Sequence, residues 1–69
     1  MLKLSARNQF AGTVTAIEPG AVNGVIKVDI GAGNIVTSSI TEEAIGDLGL
    51  AVGDRVTVVV KASDVLIGK

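Results

Sequence analysis

Residues 25–30 read Val25-Ile26-Lys27-Val28-Asp29-Ile30, and apolar and polar side chains alternate along this stretch. A period of two is typical of a β-strand with one buried face, so the three apolar residues that share a face are predicted to point into a core. Gly31-Ala32-Gly33-Asn34 follows as a short hairpin connection, and Ile35 to Ile40 is predicted to return as the next strand. This part of the chain therefore predicts an antiparallel β-meander.

Strand patterns also lie on both sides of this hairpin. Upstream, an amphipathic opening at residues 9–12 leads into the β-branched run Thr13–Ile17, and Glu18-Pro19-Gly20 is predicted to form a turn. Downstream, Arg55 to Lys61 contains four valines and is the strongest strand pattern in the chain. Val65 to Ile67 is predicted to form a last, short strand.

One short helix is predicted between the third and fourth strands. Thr41 is a favourable N-cap, Glu42 and Glu43 suit the positive end of the helix dipole, and Gly49 is a suitable stop. The segment is barely two turns long, so it is expected to close one end of the sheet rather than to be stable alone. This element order predicts an all-β fold, a small OB-like five-stranded barrel with one short helix. Because neither a repeat nor a linker is visible, residues 1–69 are expected to form a single domain.

Size and composition predict an oligomer. A chain of 69 residues buries only about 60% of the surface that its unfolded form exposes, and small domains usually need a further source of stability. The sequence has no Cys and no His, so neither disulfides nor a structural zinc site can supply it. The strand around Val56–Val60 is apolar on both faces and needs a cover, which we expect to be a second subunit.

Several function classes are disfavoured by the same composition. The net charge is −1 and Phe10 is the single aromatic residue, whereas nucleic-acid-binding modules are usually basic and stack bases on aromatic rings. Without His or Cys, the commonest general base and the best nucleophile are missing, so the protein is not expected to be an enzyme. No leader sequence and no apolar run of roughly 20 residues is present, which favours a cytoplasmic protein without membrane contact.

Hydrogen-bond donors remain as the chemically useful groups. They lie near the N-terminus at Ser5, Arg7 and Asn8, after the strongest strand at residues 61–63, and at Thr41. A deprotonated tetrahedral oxyanion only accepts hydrogen bonds, so hydroxyl, cationic and backbone N–H groups are what its site requires. Taken singly, each group also fits a structural role, as a solvated terminus, a charged strand edge or a helix cap.

Taken together, these motifs resemble the molbindin, or Mop domain, family. The most specific part of the likeness is Ser5-Ala6-Arg7-Asn8-Gln9 combined with the downstream Lys61-Ala62-Ser63. Further matches, in order along the chain, are Gly12-Thr13-Val14, residues 17–23, residues 37–41, residues 48–54 and the ending at residues 60–67. The resemblance implies an OB-like barrel that binds molybdate, and usually tungstate, at subunit interfaces of a cytoplasmic hexamer built as a trimer of dimers. Its implied role is storage and homeostasis of the oxyanion.

The resemblance also implies site residues. Ser5 and Arg7 would contact the oxyanion from one strand, and Thr41, Lys61 and the backbone of Ala62 would complete the site from elsewhere, on a neighbouring chain. A second oxyanion site made mainly of backbone N–H groups is expected at the turn Gly20, Ala21 and Val22 together with Ser63. No side chain is expected to ligate a metal directly, because the metal arrives as an oxyanion. The chain, which runs from Met1 to just past the last motif, is expected to be free-standing.

Other functions stay open at this point. An OB-type nucleic-acid-binding module would show salt-dependent binding to single strands. A carrier domain of the lipoyl or biotinyl type is suggested by Val60-Lys61-Ala62, where a lysine stands in a small β protein, and an unmodified intact mass would exclude it. A purely structural assembly protein would show no rise in melting temperature with oxyanion.

Overall fold

The computed structural model describes residues 3–69, in which one antiparallel sheet has the strand order β3-β2-β1-β4. The strands are β1 (Asn8–Glu18), β2 (Asn23–Asp29), β3 (Ile35–Thr41) and β4 (Arg55–Val60). A seven-residue helix, α1 (Glu42–Leu48), connects β3 to β4. The all-β fold with one short helix, of the OB type, is thereby confirmed.

Strand β1 is the longest of the four strands and pairs with two different partners along its length. Its first half pairs with β4 and its second half with β2, and Thr13 stands opposite both Arg55 and Asp29. The register with β2 shifts between Val14 and Ala16, which marks a β-bulge. Bulges bend and twist a strand, so the sheet curls into a half-barrel instead of remaining flat.

The core lies inside this curl. Val14, Ile26 and Val28 are its buried centre, at 1%, 3% and 3% exposure. Partly buried apolar residues from the other strands, the helix and the following loop surround them: Ile17, Ile30, Ile40, Ile45, Leu50, Val56 and Val58. The inward face predicted for residues 25–30 is therefore confirmed.

The helix begins and ends where the sequence predicts. The Thr41 hydroxyl accepts a hydrogen bond from the Ala44 N–H at 3.1 Å, as an N-cap should, and Gly49 ends the helix in the left-handed conformation at φ 61°. Ile45 packs against the core, while Leu48 remains 68% exposed. The single chain thus leaves part of the helix's apolar side uncovered. No helix within residues 3–69 is long and apolar enough to cross a membrane.

The fifth strand predicted at Val65–Ile67 is wrong for the single chain. After β4 the backbone leaves the sheet in a 3-10 turn, Ala62–Asp64, closed by hydrogen bonds from Asp64 N–H to the Lys61 carbonyl at 2.9 Å and from Val65 N–H to the Ala62 carbonyl at 3.3 Å. The residues that follow have no regular structure, and Leu66 and Ile67 are 92% and 89% exposed. A strand needs a hydrogen-bonded neighbour, and this turn carries the tail away from every edge of its own sheet.

The half-barrel is open on one side, and we call this opening the groove. It has a volume of about 420 Å³ and reaches down to the core residues Val14, Ile26 and Val28. Its sides come from β3, through Ser38 and Ile40, from the helix and following loop, through Leu48 and Leu50, and from β4, through residues 55–59. The core residues on its floor are buried, so the apolar surface that the groove leaves exposed belongs to its sides, as at Leu48.

Candidate anion-binding site

A second cavity, which we call the anion pocket, lies where the two ends of the chain meet. It has a volume of about 370 Å³ and is lined by Ser5, Ala6 and Arg7 on one wall and by Val59, Lys61 and Ala62 on the other. The walls come together because β1 and β4 are antiparallel, which puts Asn8 directly opposite Val60. Residues before Asn8 and after Val60 are consequently neighbours in space, although they are far apart in sequence.

Hydrogen bonds from two side chains organise the base of the pocket. The Asn8 amide nitrogen donates to the Val60 carbonyl at 3.2 Å and so joins the two walls. The Gln9 amide nitrogen donates to the Ala6 carbonyl at 3.0 Å and holds the first wall against the start of β1. Neither residue lines the pocket itself.

The second wall also offers backbone donors. In the 3-10 turn Ala62–Asp64 the intra-turn hydrogen bonds come from the N–H groups of Asp64 and Val65. The N–H groups of Ala62 and Ser63 have no acceptor within the turn, as is usual at the start of any helical segment. The Ala62 N–H is therefore available as a hydrogen-bond donor beside the pocket, which Ala62 itself lines.

The charge of the pocket is positive. Arg7 and Lys61 both line it, both are exposed, and no Asp or Glu is among the lining residues in the described part of the chain. Ser5 adds a hydroxyl that can donate or accept a hydrogen bond. A cavity with two cations, a hydroxyl and a free amide is suited to an anion that accepts several hydrogen bonds.

Thr41 is not part of this pocket in the single chain. It ends β3, which is the opposite edge of the sheet from β4, and pairs with Asn23 next to the turn between β1 and β2. The backbone there is tied together by a hydrogen bond of 2.8 Å from the Glu42 N–H to the Val22 carbonyl. Thr41 thus lies beside the turn that was predicted for the second oxyanion site.

The predicted site residues fall into two groups at opposite ends of β1. One group, beside Asn8, is Ser5, Arg7, Lys61, Ala62 and Ser63; the other, beyond Glu18, is Gly20, Ala21, Val22 and Thr41. An 11-residue strand is roughly 33 Å long, and the longest dimension of the chain is 34 Å. Each of the two predicted oxyanion sites takes residues from both groups, so neither is complete within one chain.

The acidic residue next to Thr41 is turned inward. One carboxylate oxygen of Glu42, Oε2, is buried without a hydrogen-bond partner among the described residues, in space that a Cβ at Gly24 would fill. The Thr41 hydroxyl already accepts the bond from the Ala44 N–H, so its own proton is left to be donated. This arrangement leaves Thr41 able to donate to an anion despite its acidic neighbour.

Two lining residues, Ala6 and Val59, were not predicted from the sequence. Ala6 could have been inferred from its place between Ser5 and Arg7. Val59 could have been inferred from the alternation of β4, since it faces the opposite way from the core residues Val56 and Val58.

Comparison with known proteins gives consistent matches across the chain. The TOBE domain matches residues 4–67. The probable molybdenum-pterin-binding protein of Haemophilus influenzae is 42% identical over 97% of this chain and 97% of its own length. The structure of MopII from Clostridium pasteurianum superimposes with a TM-score of 0.92 at 37% identity, covering 97% of this chain and all of that one.

A further solved structure contains a ligand. The cytoplasmic molybdate-binding protein ModG, crystallised with molybdate bound, superimposes with a TM-score of 0.89 at 45% identity. The match covers 94% of this chain but only 46% of ModG.

Proposed function

The chain belongs to the TOBE domain family, within its molbindin (Mop) group, and on this premise we propose that it binds molybdate reversibly in the cytoplasm and stores it, without catalysis. Relatives named for molybdenum-pterin binding match over nearly their whole length, and a related protein was crystallised with molybdate. Tungstate, which has nearly the same size and charge, is the alternative ligand. Residues 1–69 are proposed to act as one domain.

The observation that carries the proposal is the anion pocket. Ser5, Arg7, Lys61 and Ala62 line one cavity of a single chain, and they are four of the five residues predicted to contact the oxyanion. The net charge of −1 does not oppose a dianion there, because donors at about 3 Å act far more strongly than charges spread over the surface and screened by salt. Local hydrogen bonds decide the affinity.

A neighbouring chain is proposed to complete the pocket. Thr41 of a second copy would add its hydroxyl, since Thr41 of the same chain lies at the far end of β1. The second oxyanion site is proposed to form in the same way, with the turn Gly20–Val22 from one chain and Ser63 from another. Binding and assembly are then coupled, because the full set of donors exists only between chains.

The open groove supports assembly. Its apolar side at Leu48 is exposed next to the edge strands β3 and β4, and near the end of the chain Val65, Leu66 and Ile67 find no partner in their own sheet. We propose that the tail of a second copy enters the groove as the missing strand. Repeated around symmetry axes, this exchange would contribute to a hexamer arranged as a trimer of dimers.

A binding role without chemistry fits the donor set. The described residues that line the pocket include no carboxylate, and the whole chain has neither His nor Cys, which leaves Lys61 as the one lining side chain of a type that can act as a general base. The relatives are named for binding and transport of molybdenum. The proposed cycle is therefore uptake and release of an unchanged oxyanion.

Native mass spectrometry with and without molybdate tests the proposal directly. We expect a hexamer that takes up a fixed number of molybdate ions, with tungstate taken up similarly and sulfate much less. Absence of any molybdate adduct, or equal uptake of sulfate, would contradict the proposal. The same spectra report subunit number, stoichiometry and selectivity.

Calorimetry on single variants tests the residues of the pocket. Arg7→Ala or Lys61→Ala removes a cation that faces the anion, and each is expected to lower the binding free energy by about 2–4 kcal/mol. Lys27→Ala is the matched control, because Lys27 is also cationic but lines neither cavity and donates to the Thr37 hydroxyl at 3.2 Å. Equal molybdate affinity in all three variants and the wild type would exclude this pocket as the site.

A further inference from the structure

We infer that Asn8 is a positioning residue for the anion pocket, because its side-chain amide fixes the two walls relative to each other. Asn8 lines neither cavity and is half-buried, so it is not itself a ligand. The inference rests on the proposed function and deepens it, by naming a residue that sets affinity without touching the anion.

The geometry places this hydrogen bond at the junction between the sheet and the pocket. Asn8 and Val60 are the last paired residues of β1 and β4, and the Asn8 amide nitrogen donates to the Val60 carbonyl at 3.2 Å. The next residue outward on each strand is a cation that lines the pocket, Arg7 on one side and Lys61 on the other. The bond therefore lies immediately behind both cations.

The hydrogen bond from Asn8 to Val60 is important because those two cations repel each other. Without an anion, Arg7 and Lys61 are like charges just beyond the last pair of β1 and β4, and their repulsion favours separation of the walls. The Asn8 bond opposes that separation, and its partial burial protects it from competition by water. An empty pocket held together in this way needs less ordering when the anion arrives, which raises affinity.

The same bond orients the second wall. The Val60 carbonyl and the Lys61 N–H belong to one planar peptide unit, so fixing the oxygen fixes the plane from which Lys61 departs. The turn that supplies the Ala62 N–H starts one residue later. Loss of the Asn8 amide would leave the Val60 carbonyl held only by the backbone pairing of Asn8 with Val60 at the end of the ladder, so this peptide could tilt and misdirect both the Lys61 side chain and the Ala62 N–H.

Asn8→Ala and a matched control, Thr15→Val, test the inference. Thr15 also lies on β1 and makes a side-chain bond to the backbone of a neighbouring strand, from its hydroxyl to the Lys27 carbonyl at 3.3 Å, but in the half of β1 far from the pocket. We expect Asn8→Ala to weaken molybdate binding by up to about tenfold, the limit set by the free energy of one such bond, and to reduce the selectivity for molybdate over sulfate. Thr15→Val should leave both within about twofold of the wild type.

A ligand-free measurement separates positioning from general stability. In NMR spectra of the empty protein, Asn8→Ala should shift the amide signals of Lys61, Ala62 and Ser63 across the pocket, whereas Thr15→Val should not. Melting temperatures of both variants are recorded at the same subunit concentration. If Asn8→Ala does not fold, Asn8→Ser replaces it, since a serine hydroxyl is too short to reach the Val60 carbonyl in the same way.

The outcomes distinguish this inference from the proposed function. A wild type that binds no molybdate overturns both. A wild type that binds, together with an Asn8→Ala variant of equal affinity and selectivity, overturns the positioning role alone. A loss of affinity that is equal in both variants and follows their melting temperatures also overturns it, because the effect would then be one of stability.

Discussion

At the scale of single residues, Gly12 is where the sheet has no room for a side chain. A Cβ there would lie 2.6 Å from Cγ1 of Val28 and 2.7 Å from the Asp29 carbonyl. Gly12→Ala is therefore expected to destabilise the protein by about 1–3 kcal/mol, the usual cost of overpacking a core. Urea unfolding at a fixed subunit concentration measures this change.

Gly46→Ala is the control for that substitution. Gly46 lies within α1 with nothing near its missing Cβ, so alanine there should stabilise the helix by up to about 1 kcal/mol. A destabilisation of the same size at both positions would show that close packing at Gly12 is not the cause.

Ala32 is held in a backbone conformation that favours glycine. Among the described residues that are not glycine, Ala32 is the one with a positive φ, at 53°. It lies between Gly31 and Gly33, which also have positive φ angles. Ala32→Gly is expected to raise the unfolding free energy by up to about 1 kcal/mol, because it relieves a left-handed alanine. Ala51→Gly, at a loop alanine without this strain, should lower the free energy instead, and a gain at both positions would refute the explanation.

Residue patterns in the sequence predict the core but not these local details. Alternation along residues 25–30 is enough to find Ile26 and Val28, because burial of one strand face follows directly from the period of two. The strain at Ala32 and the inward turn of Glu42 against Gly24 depend on the paths of neighbouring segments. No period or local motif encodes those contacts.

At the scale of elements, substitutions of Thr41 at the start of α1 separate two roles of this residue. One is its structural role as the helix N-cap, and the other is its proposed role in binding the anion. Thr41→Ala removes the cap on the Ala44 N–H and should lower stability by about 1 kcal/mol, along with molybdate affinity. Thr41→Asp keeps a favourable cap but adds a negative charge, so stability should be retained while affinity is lost. Thermal melting and calorimetry on both variants measure the two effects.

Thr41→Ser serves as the control, since it retains both the cap and the hydroxyl. If Thr41→Asp bound molybdate as tightly as the wild type, Thr41 would not belong to the site.

Element prediction succeeds where the signal is local. The cap at Thr41, the left-handed stop at Gly49 and the four main strands follow from turn residues and periodicity. The fifth strand fails because Val65–Ile67 has the composition of a strand, while whether a strand forms depends on a free edge within reach. In one chain, the turn Ala62–Asp64 directs the tail away from such an edge.

At the scale of the whole molecule, the tail and the groove predict how the protein assembles. Removing residues 65–69 takes away Leu66 and Ile67, which at 92% and 89% exposure have most to gain from burial. Burial of one such side chain contributes about 1.5–3 kcal/mol. We expect the truncated chain to form smaller assemblies with a lower melting temperature, measured by native mass spectrometry and thermal melting.

Removal of Gly68 and Lys69 alone is the control and should change neither quantity. An intact hexamer from the chain truncated after Asp64 would exclude tail exchange as the basis of assembly. Leu66→Asp gives the same test by a point substitution, because a carboxylate is costly to bury in an apolar groove.

The sequence predicts a set of residues for the site, but it does not predict where these residues lie relative to one another. Ser5-Ala6-Arg7 and Lys61-Ala62 carry a specific motif, and the pairing of β1 with β4 explains why these two ends of the chain meet. That Thr41 lies at the far end of β1 depends on strand order, which residue types do not specify. The strand order therefore supports the expectation that a second chain supplies Thr41 to the pocket, while Lys61 and Ala62 come from the same chain as Arg7.

Under the proposed function, the placement of the predicted site residues at opposite ends of β1 has a consequence for the cell that makes this protein. If each ion needs donors from two chains, scarce protein holds almost none, and doubling gene expression more than doubles the amount of bound metal until assembly saturates. Such a reservoir would stay empty when little protein is made and would fill steeply once the protein is abundant. Proteolysis of a fraction of the subunits would discharge the reservoir just as steeply.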